Sequence, residues 1–198
     1  MTVDLTPAAR HLAELLTGVA DDRLQAPTPC AAYALGDLVD HVDRVSVAFA
    51  AAARKEAGSP PDGGLAGDGA RLDGRFRSRT MRHLADVAEA WRPAAAWAGV
   101  TRVDGVELAA ETAGELALVE LVIHGWDVAR ATGQTYAPDT ASLEAVHRVL
   151  LQPRHGEPEW SRSDGFGPVF AISADAPLLD RVVALAGRDT SWSPAPVG

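Results

Sequence analysis

Apolar residues recur at helical spacing along most of the chain. Leu12, Leu15, Leu16 and Val19 share one face of a first helix, which Thr6 can cap, Pro7 can open and Gly18 can close. Pro27 and Pro29 then bar helix through the stretch 26–30 by removing donors and biasing their predecessors to extended backbone. The stripe Leu38, Val42, Val45, Phe49 and Ala52 predicts a second helix over 35–56. Leu84, Val87, Trp91 and Ala95 predict a third over 76–98, with Pro93 as a kink or break. Weak alternation over 101–108 around Asp104-Gly105 favours a small hairpin. A fourth helix is bounded by the capping pair Thr112 and Glu115 and by Gly133. A fifth runs over 138–151. A polar loop over 152–168 and a short strand over 169–173 follow. The last helix, capped by Asp175, carries Leu178, Leu179, Val182, Val183 and Leu185 and ends at Gly187. No internal repeat interrupts this order. The expectation is a mostly helical single domain with a small C-terminal appendage.

Composition narrows the partners. Among 198 residues, 18 Lys and Arg stand against 27 Asp and Glu, a formal net charge of -9. Phosphate backbones and anionic lipid surfaces both call for a basic footprint, so neither nucleic acid nor membrane is expected. No apolar run is long enough to span a bilayer. Met1–Arg10 lacks a basic start followed by an apolar stretch, and a cytoplasmic location is the expectation. Cys30 is the single cysteine, which rules out an internal disulfide and a cysteine zinc cage. The glycines of segment 58–69 read as loop; no Lys-Ser or Lys-Thr follows to make a phosphate loop.

The fourth helix departs from its own pattern. LALVELVIHGWDVA, residues 116–129, is apolar on nearly every side, yet it holds Glu120, His124 and Asp127 within a wedge of roughly 60°. A buried carboxylate without a partner costs several kcal/mol, so something must offset its charge. An arginine or protonated histidine from another helix would do so, and so would a divalent metal. Glu120 and His124 are one turn apart on one face, a spacing suited to chelation. His41, at the margin of the second helix's stripe, is the candidate third ligand. Catalytic metal sites commonly use three protein ligands, and bundle cores are where they are built. Two imidazoles and a carboxylate suit zinc, with nickel, iron and manganese as alternatives. Asp127 either orients a ligand or closes a salt bridge with Arg130 or another arginine.

The stretches APTPCAAYALGDLVDHV, ELVIHGWDVARATG and APLLDRVVALAGRDTSW resemble the metal-binding DinB-like proteins of actinobacteria, relatives of the N-terminal domain of mycothiol-dependent maleylpyruvate isomerase. The resemblance runs from Leu15 to Trp192, and its HGWD and GRD-x-x-W segments are the more specific parts. It implies a four-helix bundle with long crossovers over about 5–151 and an appendage over about 152–198. It also implies a metal triad of His41, Glu120 and His124, and mycothiol as a thiol co-substrate. A coordinated thiol loses its proton and can attack a small electrophile, giving isomerisation or thiol transfer. Tyr33 stands where relatives often have Trp. The isomerase carries an additional C-terminal domain for which 198 residues leave no room.

Other readings stay open beside this one. A non-catalytic metal-binding or small-ligand carrier can use the same bundle, and a metal-free scaffold that forms a homodimer can explain the polar stripe as an ion pair. Arg75, Arg77, Arg79 and Arg82 make a basic cluster, read as a solvated face or, through Arg75, Arg79 and Arg82, as a clamp for an anionic cofactor. Cys30 reads as packing, His11 and His83 as solvated, and His147 as partly buried. His155, Ser161, Ser163 and Asp164 read as loop. Trp91, Trp97 and Trp126 read as core.

Overall fold

Four amphipathic helices enclose the core in the computed structural model, which describes residues 2–56, 64–152 and 166–194. The helices are α1 (Thr6–Thr17), α2 (Leu35–Ala53), α3 (Phe76–Ala90) and α4 (Ala110–Thr132). α1 and α2 each lie between α3 and α4. The predicted stripes face inward: Leu12, Leu16, Leu38, Val42, Phe49, Leu84 and Val87 are all essentially sealed from solvent. Each such side chain contributes roughly 1.5–3 kcal/mol relative to exposure. α5 (Thr140–Leu151) packs on α4, and α6 (Leu178–Leu185) packs on α5. The fold is the mainly helical DinB-like bundle.

Several boundaries differ from the sequence expectation. α1 starts at Thr6 itself, where Asp4 Oδ1 accepts from the Thr6 amide at 2.9 Å. α2 stops at Ala53 and α3 at Ala90. Pro93 ends the third helix rather than kinking it, and Ala94–Trp97 form a separate 3-10 turn. The turn seats Trp97, whose Nε1 donates to the Trp91 carbonyl at 2.7 Å, while Trp91 Nε1 donates to the Phe49 carbonyl at 3.0 Å. The expected hairpin is present: β1 (Val100–Val103) pairs antiparallel with β2 (Val106–Ala109). Asp104 and Gly105 both take positive φ, 49° and 78°, the backbone that a two-residue hairpin turn demands.

β2 feeds straight into α4, whose first amide, that of Ala110, donates to the Gly99 carbonyl at 2.9 Å. The hairpin thus starts the helix three residues early, and Thr112 and Glu115 lie inside it instead of capping it. Gly133, at φ 73°, closes α4 as expected. Asp139 caps α5, its Oδ1 accepting from the Ser142 amide at 2.9 Å. Asp175 does not cap α6, which begins after Pro177. Residues 169–173 form no strand; their tie to α6 is one bond from the Phe170 amide to the Ala184 carbonyl, 3.0 Å. Parts of the expected loops over 58–69 and 152–168, with His155, Ser161, Ser163 and Asp164, lie outside the described residues. No helix among the described residues is long and apolar enough to cross a membrane.

α2 carries three aspartates a turn apart, and they fix what lies over it. Asp37 Oδ1 accepts from the Gly69 amide at 2.7 Å. Asp40 Oδ2 accepts from the Asp68 amide at 3.0 Å and from Arg71 Nη2 at 2.7 Å. Asp43 accepts from Arg79 Nε at 3.1 Å and pairs with His83 Nδ1 at 2.8 Å. His83 is therefore half-buried and partnered with a buried carboxylate rather than simply solvated. His11 is likewise engaged, stacked on Tyr136 at 4.7 Å, and His147 is half-buried as expected.

Candidate metal centre

His41 projects from the middle of α2 and Glu120 and His124 from the middle of α4, the helix packed beside it. One ligand atom from each of the three lies within 4.8 Å of the other two. Glu120 Oε2 is 3.3 Å from His41 Nε2 and 2.9 Å from His124 Nε2. The rings meet edge to face at 4.9 Å. All three side chains are buried, His124 completely.

The outer nitrogen of each ring settles its tautomer. His41 Nδ1 lies 2.8 Å from the Leu65 carbonyl, which can only accept, so the proton is on Nδ1. His124 Nδ1 lies 3.0 Å from Asp127 Oδ2, with the same consequence. In the neutral rings both Nε2 atoms then carry lone pairs beside a carboxylate oxygen, and a second proton on a ring turns that contact into a hydrogen bond. His124 Nε2 is buried with no hydrogen-bond partner, although Glu120 Oε2 is at contact distance. Three electron-rich atoms at one point repel unless a positive charge joins them. A proton on one ring supplies that charge in the metal-free protein, and the three atoms are grouped as a metal ion's ligands could be. Donors about 2.0–2.2 Å from a tetrahedral zinc lie about 3.3–3.6 Å from one another, and the two carboxylate–imidazole separations here, 3.3 and 2.9 Å, are close to that.

The electrostatics follow from this crowding. Burial alone would raise the Glu120 carboxyl, but the contacts with His124 and His41 outweigh it and hold the group far below the usual carboxylate range. Burial alone would lower His124, but Asp127 and Glu120 outweigh it and hold the imidazole above its ordinary value of 6.5. Asp127, fully buried, is held below the carboxylate range against its own desolvation by Arg188 and His124.

Arg188 is the residue that sequence reasoning missed. It lies 61 positions beyond Asp127, and its Nη2 donates to Asp127 Oδ2 at 2.8 Å. The available signal was the GRD segment itself, a polar turn directly after the apolar face of the last helix. Asp127 thus closes a salt bridge with Arg188 and also bonds a ring nitrogen of His124. The basic cluster is not gathered at the centre. Arg75 and Arg82 are exposed, Arg79 faces Asp43 and Asp73, and Arg77 binds the Val19 carbonyl and Asp21. Tyr33 does reach the centre, stacked on His41 at 5.0 Å. Cys30 is buried, and desolvation pushes its thiol up to about 11.

Comparison with known proteins bears on the fold and the family. A solved structure of mycothiol-dependent maleylpyruvate isomerase superposes with a TM-score of 0.56 at 18% identity, covering 83% of this chain and 72% of that one. A mutant of the same enzyme superposes equally well at 17% identity. These likenesses establish a shared fold. An uncharacterized protein of Mycobacterium tuberculosis, matched in two strains, is 29% identical over 185 residues, spanning 89% of this chain and 91% of its own length. The sequence profile of the mycothiol maleylpyruvate isomerase N-terminal domain matches residues 5–129, well over half of the chain, which therefore belongs to that family.

Proposed function

We propose that the chain binds a divalent metal, zinc by preference, through His41, Glu120 and His124, and that it serves mycothiol-dependent isomerisation or S-transfer on a small electrophile. The observation that carries this reading is the convergence of two tautomer-locked imidazole lone pairs and one carboxylate in a buried site. Family membership supports the thiol. A metal ion in such a site supplies thiolate at neutral pH by lowering a bound thiol's pKa. The chain's own residues set the conditions. His41 and His124 contribute neutral donors of fixed orientation. Glu120 brings one negative charge, so a divalent site keeps net charge near +1, favourable to an anionic fourth ligand. Among the described residues no fourth His, Cys, Asp or Glu joins the group, which leaves coordination positions for water or substrate. Burial keeps bulk water from competing, and the Tyr33 ring on His41 forms part of the wall.

The depth of the centre favours a second reading, a non-catalytic metal-binding or small-ligand-carrying protein, since Glu120 is only 7% exposed. One experiment separates the two. Gently purified protein is assayed for metal by elemental analysis, then incubated metal-loaded with mycothiol and a panel of activated alkenes and alkyl halides. Bound metal with conjugate or isomer above background supports the enzyme. Bound metal without turnover supports the carrier, and absence of metal binding defeats both.

A further inference from the structure

α6 ends in a turn built on Gly187. Its φ is 78°, and a Cβ there would come within 2.4 Å of the Gly167 carbonyl oxygen, so only glycine fits. The turn sends Arg188 back into the bundle, where it is 1% exposed. Arg188 Nη1 donates to the Ala186 carbonyl at 2.8 Å, which steadies the guanidinium plane. Nε and Nη2 take the two oxygens of Asp127 at 3.3 and 2.8 Å, and Oδ2 of that carboxylate accepts from His124 Nδ1. A second contact runs the other way: Arg130, three residues past Asp127 on α4, donates from Nη2 to the Trp192 carbonyl. Between these points the turn is tied to itself. Asp189 Oδ1 accepts from the Ser191 amide at 2.8 Å and hydroxyl at 2.7 Å, and the Trp192 amide donates to the Asp189 carbonyl at 3.0 Å.

We propose that Gly187–Trp192 is a clasp that positions His124 through Arg188 and Asp127, so that divalent metal binding and docking of this segment on α4 reinforce one another. The inference rests on the metal reading above. A carboxylate gripped at both oxygens cannot rotate, and the imidazole bonded to it keeps Nε2 aimed at Glu120 and His41. Coupling of this kind is reciprocal: whatever the clasp adds to metal affinity, metal adds to clasp docking.

The test uses the full chain with zinc and cobalt(II) as probes. Wild type, Arg188→Met, Arg188→Lys and Arg130→Met are compared for metal affinity by chelator competition, for the visible ligand-field bands of the cobalt form, and for amide exchange over residues 178–192 with and without zinc. Arg188→Met is expected to weaken metal binding about 10–100-fold and to shift the cobalt bands, the usual effect of losing an outer partner. Arg188→Lys recovers part of the loss, because a point charge replaces a two-pronged grip. Zinc slows exchange over the segment in wild type and does so less in the variants. If Arg188→Met does not fold, Arg130→Met carries the test, with binding weakened at least about threefold, less than for an inner partner. Equal affinity and identical cobalt bands in folded variants, or exchange indifferent to zinc in wild type, overturn the clasp alone. Failure of wild type to bind metal overturns the metal reading, and the coupling with it.

Discussion

The two imidazoles of the centre are held in different ways. His41 leans on a backbone carbonyl, that of Leu65, in a segment secured by Asp37, Asp40, Arg44 and Arg71. His124 leans on a buried carboxylate that is itself held by an arginine from the far end of the chain. A carbonyl orients a ring without adding formal charge. A carboxylate also makes the ring more basic, and it brings a charge that must be offset in turn. On one side the ring itself meets a neutral dipole, and ions act only at one remove, on the segment that carries it. On the other the ring meets an ion directly, and that ion is offset by an arginine 61 residues away.

The bluntest way to break the comparison is to remove a ring. His41→Ala and His124→Ala should each cost more metal affinity than the roughly 10–100-fold typical of outer partners, read by chelator competition. In the metal-free protein, losing His124 strips Glu120 and Asp127 of a partner in a dry site. Stability should fall by about 3–5 kcal/mol in urea unfolding, the range for breaking a buried pair. A loss under 1 kcal/mol would mean that the charges are relieved elsewhere.

Replacing the outer supports sharpens the contrast. Asp127→Asn keeps the shape and an acceptor but removes the charge; metal affinity should fall about 10–100-fold. On the other side, Gly67→Ala would place a Cβ 1.9 Å from the Asp37 carbonyl oxygen and 3.0 Å from His41 Cβ, lifting the segment that carries Leu65. Its effect on affinity should be smaller, because no charge is lost. Equal losses would contradict the distinction drawn here.

Acidity tests the ionic side alone. Glu120 and Asp127 are held below their ordinary values, so their stabilisation is present above the carboxylate range near 4 and is lost as pH falls through their folded values. His124 is held above 6.5, so its stabilisation is full below that value and is lost as pH rises through the folded value. The Tm of the metal-free protein should therefore fall on both sides of the interval between them. Zinc should abolish the alkaline fall, since metal then replaces the proton, and its affinity should climb with pH through and beyond 6.5. The gentlest probe is Cys30, which shares a cavity of about 200 Å³ with Arg188. Its buried, protonated thiol should resist iodoacetamide at neutral pH until denaturant is added. Faster labelling in Arg188→Lys would report opening on the His124 side.

What could be read before the fold was known divides along the same line. Glu120, His124 and Asp127 stood out because charge inside an apolar helix demands compensation, and that demand is local to one stripe. The hairpin at Asp104-Gly105 and the stop at Gly133 were legible because each needs a particular backbone. Arg188 was not legible, because nothing near it in sequence shows which buried carboxylate it will meet. Thr112 looked like a cap on local chemistry, but the hairpin delivered the chain to the helix three residues sooner. The pattern at 169–173 suited a strand, and the described structure gives it only a single bond to α6. His83 looked solvated because its partner, Asp43, lies 40 residues earlier on another helix.

The three aspartates along α2 bear on how the centre can adapt. Spread over two helical turns, Asp37, Asp40 and Asp43 bolt the helix to the segment above it and to α3. Sliding or rotation of α2 about its axis would break all three attachments together. The half whose imidazole meets a neutral carbonyl is thus the mechanically stiffer one, and any adjustment of the centre falls to α4 and the tail that braces it.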